Sequence, residues 1–231
     1  MGKSIRIVPA ILTDDPVALE KLVRQTETFT DFAQFDVMDG QFVPSHSVSC
    51  EQLARLKTKL KWEAHLMVLH PEDCLEEFRQ AGAQKIVFHY EATQEPEKII
   101  RAVKKLRLQV GLAVNPETPI TAFSPLLKKV DSVLFLSVNP GFYGAKFIPE
   151  VLDKIIAFRK AYPNMEIGID GGIKENNIAQ IARTGVNFIC VGSAIFLQPD
   201  PAASYRRLTA LAEPSVRLRR ATVKEKKALK L

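Results

Sequence analysis

Val133-Leu134-Phe135-Leu136-Ser137-Val138-Asn139-Pro140-Gly141-Phe142-Tyr143-Gly144 is the stretch from which the fold can be read. Its first four residues are apolar without alternation, as expected of a parallel strand covered on both faces. A proline and two glycines then turn the chain. On either side the same unit recurs. Strand-like runs fall at 5–11, 32–36, 62–67, 85–88, 109–114, 133–137, 167–170 and 188–191. Helical periodicity falls between or after them at 16–26, 71–81, 96–105, 149–161, 178–183 and 201–211. Several of these segments open with proline, whose missing N–H costs nothing in a first turn. In 149–161, Val151, Leu152, Ile155 and Ile156 set an apolar stripe against Arg159 and Lys160. Eight such units predict an α/β fold, a TIM (β/α)8 barrel.

A doubly wound open sheet also alternates strands and helices. If it bound a dinucleotide it would carry a Gly-rich turn after its first strand, where this chain has Leu12-Thr13-Asp14-Asp15. Its glycines come late, in Gly141 to Gly144, in Gly171-Gly172 and in Gly192-Ser193, after strands six, seven and eight. In a TIM barrel the loops after the last two strands commonly hold a phosphate. Four stretches end strand runs and therefore share the barrel mouth: Asp36 to Gly40, His65 to Val68, Ser137 to Phe142 and Asp170 to Gly172.

The length of 231 residues, 46% hydrophobic and 25% charged, suits one globular domain, and no Gly/Ser-rich linker divides it. We read residues 1–213 as the barrel and 214–231 as a basic tail. That tail holds seven Lys or Arg and one Glu. Removing them from the 32 basic and 26 acidic residues leaves 25 of each, so the net charge of +6 belongs to the tail. No aromatic residue is interleaved there to stack bases, so no nucleic-acid partner is expected. The sequence shows no secretory leader and no apolar run of about 18 residues, which predicts no membrane partner and a cytoplasmic protein. Cys50, Cys74 and Cys190 are odd in number and lack metal-type spacing, so three reduced thiols and no disulfide are expected.

The chain resembles the ribulose-phosphate 3-epimerase family over about residues 8–208. The resemblance rests on Asp36-Val37-Met38-Asp39-Gly40 with Phe42-Val43-Pro44, His65-Leu66-Met67-Val68 and Phe88-His89-Tyr90-Glu91-Ala92, followed by Asn115-Pro116 with Thr118-Pro119, Ser137 to Phe142, and Gly192-Ser193-Ala194-Ile195-Phe196. It implies a pentose-phosphate isomerase that epimerises D-ribulose 5-phosphate to D-xylulose 5-phosphate at C3. It also implies a homo-oligomer and a sugar phosphate as the small-molecule partner. Asp36 and Asp170 match the family's catalytic acid and base. The implied metal ligands are Asp36, His65, Asp170 and a second histidine, whose place is taken by Gln34. The implied cofactor is a divalent ion such as Zn, Fe, Mn, Co or Mg. An amide is a poorer partner than imidazole for zinc or iron, so ion binding should be weakened, lost or shifted toward Mg or Mn.

Other departures touch the same pocket. The family's serine is Ala10, its asparagine after Val-Pro is Ser45, and the methionine before Ser-Val-Asn-Pro-Gly is Leu136, leaving Met38 and Met67 over the reacting carbons. An epimerase for another ketose phosphate and a non-catalytic sugar-phosphate-binding paralogue are the alternatives. Phosphate and substrate contacts are expected from His65, Gly141, Phe142, Tyr143, Gly144, Gly171, Gly172, Gly192 and Ser193. Asp39 is read as a turn cap, His89 and Glu91 as structural or as support behind His65, and His46 as a solvent-facing loop residue. Inverting a carbon beside a ketone needs one carboxyl to remove a proton and another to deliver one on the opposite face.

Overall fold

Strands β1 (Arg6–Ile11), β2 (Phe32–Met38), β3 (Lys61–Met67), β4 (Lys85–His89), β5 (Gln109–Val114), β6 (Ser132–Leu136), β7 (Glu166–Asp170) and β8 (Phe188–Val191) pair in parallel in sequence order. β8 then returns to β1 and closes the barrel, as the TIM pattern requires. These positions come from a computed structural model that describes residues 4–141 and 145–213. The expected contacts at Phe142, Tyr143 and Gly144 and the basic tail 214–231 lie outside the described residues.

Helices α1 (Pro16–Thr26), α2 (Cys50–Ala54), α3 (Leu75–Gln80), α4 (Pro96–Lys105), α5 (Ile120–Phe123), α6 (Glu150–Ala161), α7 (Ile178–Ala182), α8 (Ser193–Phe196) and α9 (Pro201–Ala212) follow the strands. Prolines open α1, α4 and α9 as expected, and Asp15 and Asp200 cap α1 and α9 by accepting N–H bonds at 2.9 Å from Val17 and Ala203. Among the described residues, no helix is long and apolar enough to cross a membrane.

Side chains alternate along each strand with period two, and that alternation divides the molecule. Outward residues such as Ile7, Phe35, Trp62, Leu66, Phe88, Phe135 and Ile169 join the buried faces of the helices in one large core. Trp62 lies edge-on to Phe35 at 5.3 Å and to Phe78 of α3 at 5.6 Å. Each such side chain contributes about 1.5–3 kcal/mol by leaving water. Inward apolar residues are fewer and, Phe188 apart, smaller, including Val8, Ala10, Val87, Ala113, Leu134, Leu136 and Cys190. The polar residues Gln34, Asp36, Glu63, His65, Lys85 and His89 occupy the same inward parity and are all buried.

Four expectations are corrected. Cys50 and Cys74 form a disulfide, leaving Cys190 as the free, buried cysteine. Cys50 opens α2 and Cys74 ends the turn before α3, and packing of these helices brings the two Cα atoms to 5.8 Å. Parity of the cysteine count carries no information about that packing. The segment 71–81 is a 3₁₀ turn, Pro71–Cys74, that runs directly into α3. Ile156 leaves the apolar stripe of α6: it is 51% exposed, and Phe158 is buried instead. Finally, α2 adds a helix that the periodicity does not predict, although Ser49 and Gln52 form a reciprocal capping box, a signal that the sequence does carry.

Candidate active site

Barrel register builds the site. On β2 the inward residues are Gln34, Asp36 and Met38, and on β3 they are Glu63, His65 and Met67, in register as Asp36 beside His65 and Met38 beside Met67. Asp170 ends β7 and stands in register with Cys190 of β8 and Leu136 of β6. Ala10 of β1 lies beside Gln34. Asp36, His65 and Asp170 thus meet although they lie far apart along the chain.

Their contacts are short. His65 Nδ1 lies 3.0 Å from Asp36 Oδ1 and 3.4 Å from Asp170 Oδ2. The carboxamide Nε2 of Gln34 donates to Asp36 Oδ1 at 2.9 Å and to Asp170 Oδ2 at 3.0 Å. On its other side, His65 Nε2 is 3.0 Å from His89 Nε2, and His89 Nδ1 is 3.4 Å from Glu91 Oε2. Glu91 accepts from the Asn115 N–H at 2.9 Å and from the Thr118 hydroxyl. One proton arrangement suits the closest pairs: His65 donates from both nitrogens and neutral His89 accepts at Nε2, while His89 Nδ1 and Glu91 Oε2 lie 3.4 Å apart without forming a hydrogen bond.

Ionisation follows from burial and charge. Burial pushes the Asp36 carboxyl up to about 6, the nearby Asp170 carboxylate adds to that, and the bonds from His65 and Gln34 oppose it. Burial alone would lower the His65 imidazole, yet its bonds to Asp170 and Asp36 outweigh burial and push it up to about 10. His89, buried beside cationic His65, is held below the ordinary histidine value, chiefly by burial. Burial would raise the carboxyl of Glu91, but the hydrogen bonds it receives hold it low. The centre therefore combines two carboxyls with an imidazolium.

Other residues singled out in the sequence surround it. Asp39 caps its turn, accepting from Gln41, Phe42 and Leu69 N–H groups at 2.7 to 2.9 Å. His46 is exposed and bridges backbone to Asp39, away from the carboxyls. Ser45 donates its hydroxyl to the Gly141 carbonyl, tying the loop after β2 to the loop after β6. Gly171 and Gly172 have φ of +103° and +64°, and a Cβ on Gly172 would come within 2.9 Å of the Phe147 backbone. Gly141, Gly171, Gly172, Gly192 and Ser193 line the same pocket as Asp36 and Asp170. Sequence reading missed the Gln34 to Cys190 contact at 3.2 Å, and beneath it the buried pair Glu63 and Lys85 at 3.1 Å. Neither contact has a sequence signature: barrel closure brings Cys190 to Gln34, and the register of β3 on β4 sets Glu63 beside Lys85.

Asp36, His65 and Asp170 each offer an atom within 4.8 Å of the others, enough for a possible divalent-ion site. The fourth position does not fit a four-ligand ion. Gln34 turns its N–H groups, not its oxygen, toward the carboxylates, and a donor N–H cannot coordinate a cation.

Comparison with known proteins places the chain in one family. A sequence model described as the ribulose-phosphate 3 epimerase family matches residues 6–196. A ribulose-phosphate 3-epimerase of Schizosaccharomyces pombe is 36% identical over 202 residues, 85% of this chain and 89% of that one. One from Aquifex aeolicus is 36% identical over 212 residues, covering 89% and 96%. By fold alone, the crystal structure of 3-hexulose-6-phosphate synthase from Salmonella typhimurium superposes with a TM-score of 0.67 at 17% identity, over 90% of this chain and 98% of that one.

Proposed function

Because this chain belongs to the ribulose-phosphate 3-epimerase family, we propose that it interconverts D-ribulose 5-phosphate and D-xylulose 5-phosphate by proton transfer at C3. Asp36 and Asp170 are the two proton carriers. One is ionised and removes the C3 proton, the other is protonated and delivers a proton to the opposite face, and the enediolate lies between them. Asp36, raised to about 6, gains and loses its proton close to neutrality, where a general acid or base works best. The imidazolium of His65, fixed beside both carboxyls, supplies positive charge where the enediolate oxygens become negative. His89 stands behind it and accepts its Nε2–H, with Glu91 beyond. Met38 and Met67, with Leu136 and Val138, form apolar walls that exclude water. Gly141, Gly171, Gly172, Gly192 and Ser193 hold the phosphate. No step passes through a metal ion.

The observation that carries this reading is that Asp36 and Asp170, from β2 and β7, reach within 2.9 and 3.0 Å of the same amide nitrogen. Ala10 and Leu136 make part of the wall apolar and favour, as a second reading, a different ketose phosphate as preferred substrate. The test is ribulose 5-phosphate in heavy water followed by NMR. Deuterium at C3 and appearance of xylulose 5-phosphate support the proposal. Absence of label, with or without added divalent ions, removes it; label gained only by another ketose phosphate selects the second reading. Thermal stabilisation by phosphate with no exchange for any ketose indicates a binding protein.

A further inference from the structure

Gln34 is fully buried, and both ends of its carboxamide are engaged. Its nitrogen serves the carboxylates of Asp36 and Asp170, and its oxygen lies 3.2 Å from Cys190 Sγ. Cys190 is the free cysteine among the described residues, inward-facing on β8 and buried. Burial, with the negative charges of Asp170, Glu63 and Asp36, pushes its thiol well above the ordinary range, so it keeps its proton and can donate. Turning the amide by 180° would aim its oxygen at two carboxylate oxygens and its N–H groups at an S–H. The two carboxylate contacts would become repulsive, and the S–H would lose its carbonyl acceptor.

We propose that Cys190 is a positioning residue. Its S–H pins the Gln34 carboxamide so that the amide N–H groups bridge Asp36 and Asp170 and no amide oxygen is offered to a divalent ion. This rests on the two-carboxyl reading above, and it assigns the bridging task to a neutral side chain held by a thiol. Serine at position 190 keeps a donor; alanine does not.

The test uses the full chain stripped with a chelator, titrated with Mn²⁺ and followed by the loss of the free-ion EPR signal, alongside C3 exchange in heavy water with chelator present. Wild type and Cys190→Ser should bind no Mn²⁺ saturably up to about 1 mM. Cys190→Ala, which frees the amide to turn its oxygen inward, should bind at least about tenfold more tightly. Gln34→His should take up about one ion per chain. Exchange by wild type should survive the chelator. Stoichiometric Mn²⁺ on wild type, chelator-sensitive exchange restored by ions, or identical binding by Cys190→Ser and Cys190→Ala would overturn the proposal. The wild-type titration can overturn it even if a variant fails to fold. If wild type shows no exchange under any condition, the epimerase reading fails, and the Mn²⁺ titrations still decide the role of Cys190.

Discussion

Replacing Asp36 by Asn and, separately, Asp170 by Asn removes one proton carrier at a time at nearly constant volume. If the two carboxyls serve opposite faces of C3, each variant still draws the proton from the one ketose whose C3–H faces the surviving carboxyl. It can return solvent deuterium to that face but cannot complete the inversion. Asp36→Asn should therefore label one of the two ketoses and Asp170→Asn the other, with net epimerisation reduced by ~10²–10⁴, about 3–5 kcal/mol in barrier. The loss should not come from unfolding. Asp36 Oδ1 accepts from both Gln34 and His65, and an asparagine oxygen in that place keeps both bonds. Losing the charge weakens the contact with His65 by about 1.5–3 kcal/mol. Against this, a neutral asparagine avoids burying a charge beside Asp170, the burial that helps raise the carboxyl from 3.8 to about 6. The two effects offset, and the thermal midpoint should move by only a few degrees. The assay is proton NMR in heavy water, started from each ketose in turn. Net turnover within tenfold of wild type in either variant, or both variants labelling the same ketose, would refute the opposed-face arrangement.

Three further outcomes follow from the geometry. In the direction where Asp36 is the base, kcat/KM should fall as pH drops through about 6, because the group then holds the proton it must accept; a flat profile down to pH 5 would exclude that role. His65, raised from 6.5 to about 10 in the folded state, contributes stability that is complete below pH 6.5 and is lost as pH rises toward 10. The thermal midpoint of wild type should therefore decline over that window more steeply than that of His65→Asn, and equal slopes would contradict the assignment. Gly172→Ala places a Cβ against the Phe147 backbone in a left-handed conformation, at about 1–2 kcal/mol for the conformation alone. It should weaken inorganic phosphate binding by calorimetry and lower the thermal midpoint, and unchanged values for both would remove the glycine turn from the phosphate site.

Local signals located most of the framework. Segments 16–26, 96–105, 109–114 and 188–191 fall where the sequence places them, because proline starts, period-3.6 stripes and unbroken apolar runs act within one element. Segments governed by neighbours were harder. The helical turns at Ile120–Phe123 and Ser193–Phe196 are too short to show a period, and Ile156 is exposed because contacts around α6, not its own periodicity, choose which residue is buried. Residues 142–144, expected at the phosphate, lie beyond what the structure describes.

Spacing along single strands and their loops was enough to define the barrel and to put Asp36, His65 and Asp170 near strand ends, and the resemblance of the motifs there pointed to the family. Which groups touch was settled by the folded chain alone. Closure of β8 onto β1 brings Cys190 to Gln34 across 156 positions and sets Asp170 136 positions from the same amide. Packing of α2 on α3 joins Cys50 to Cys74, and the alignment of β3 with β4 lays His65 on His89. Hydrogen-bond orientation, ion-pair distance and burial depend on strand register and barrel closure, which no single segment encodes.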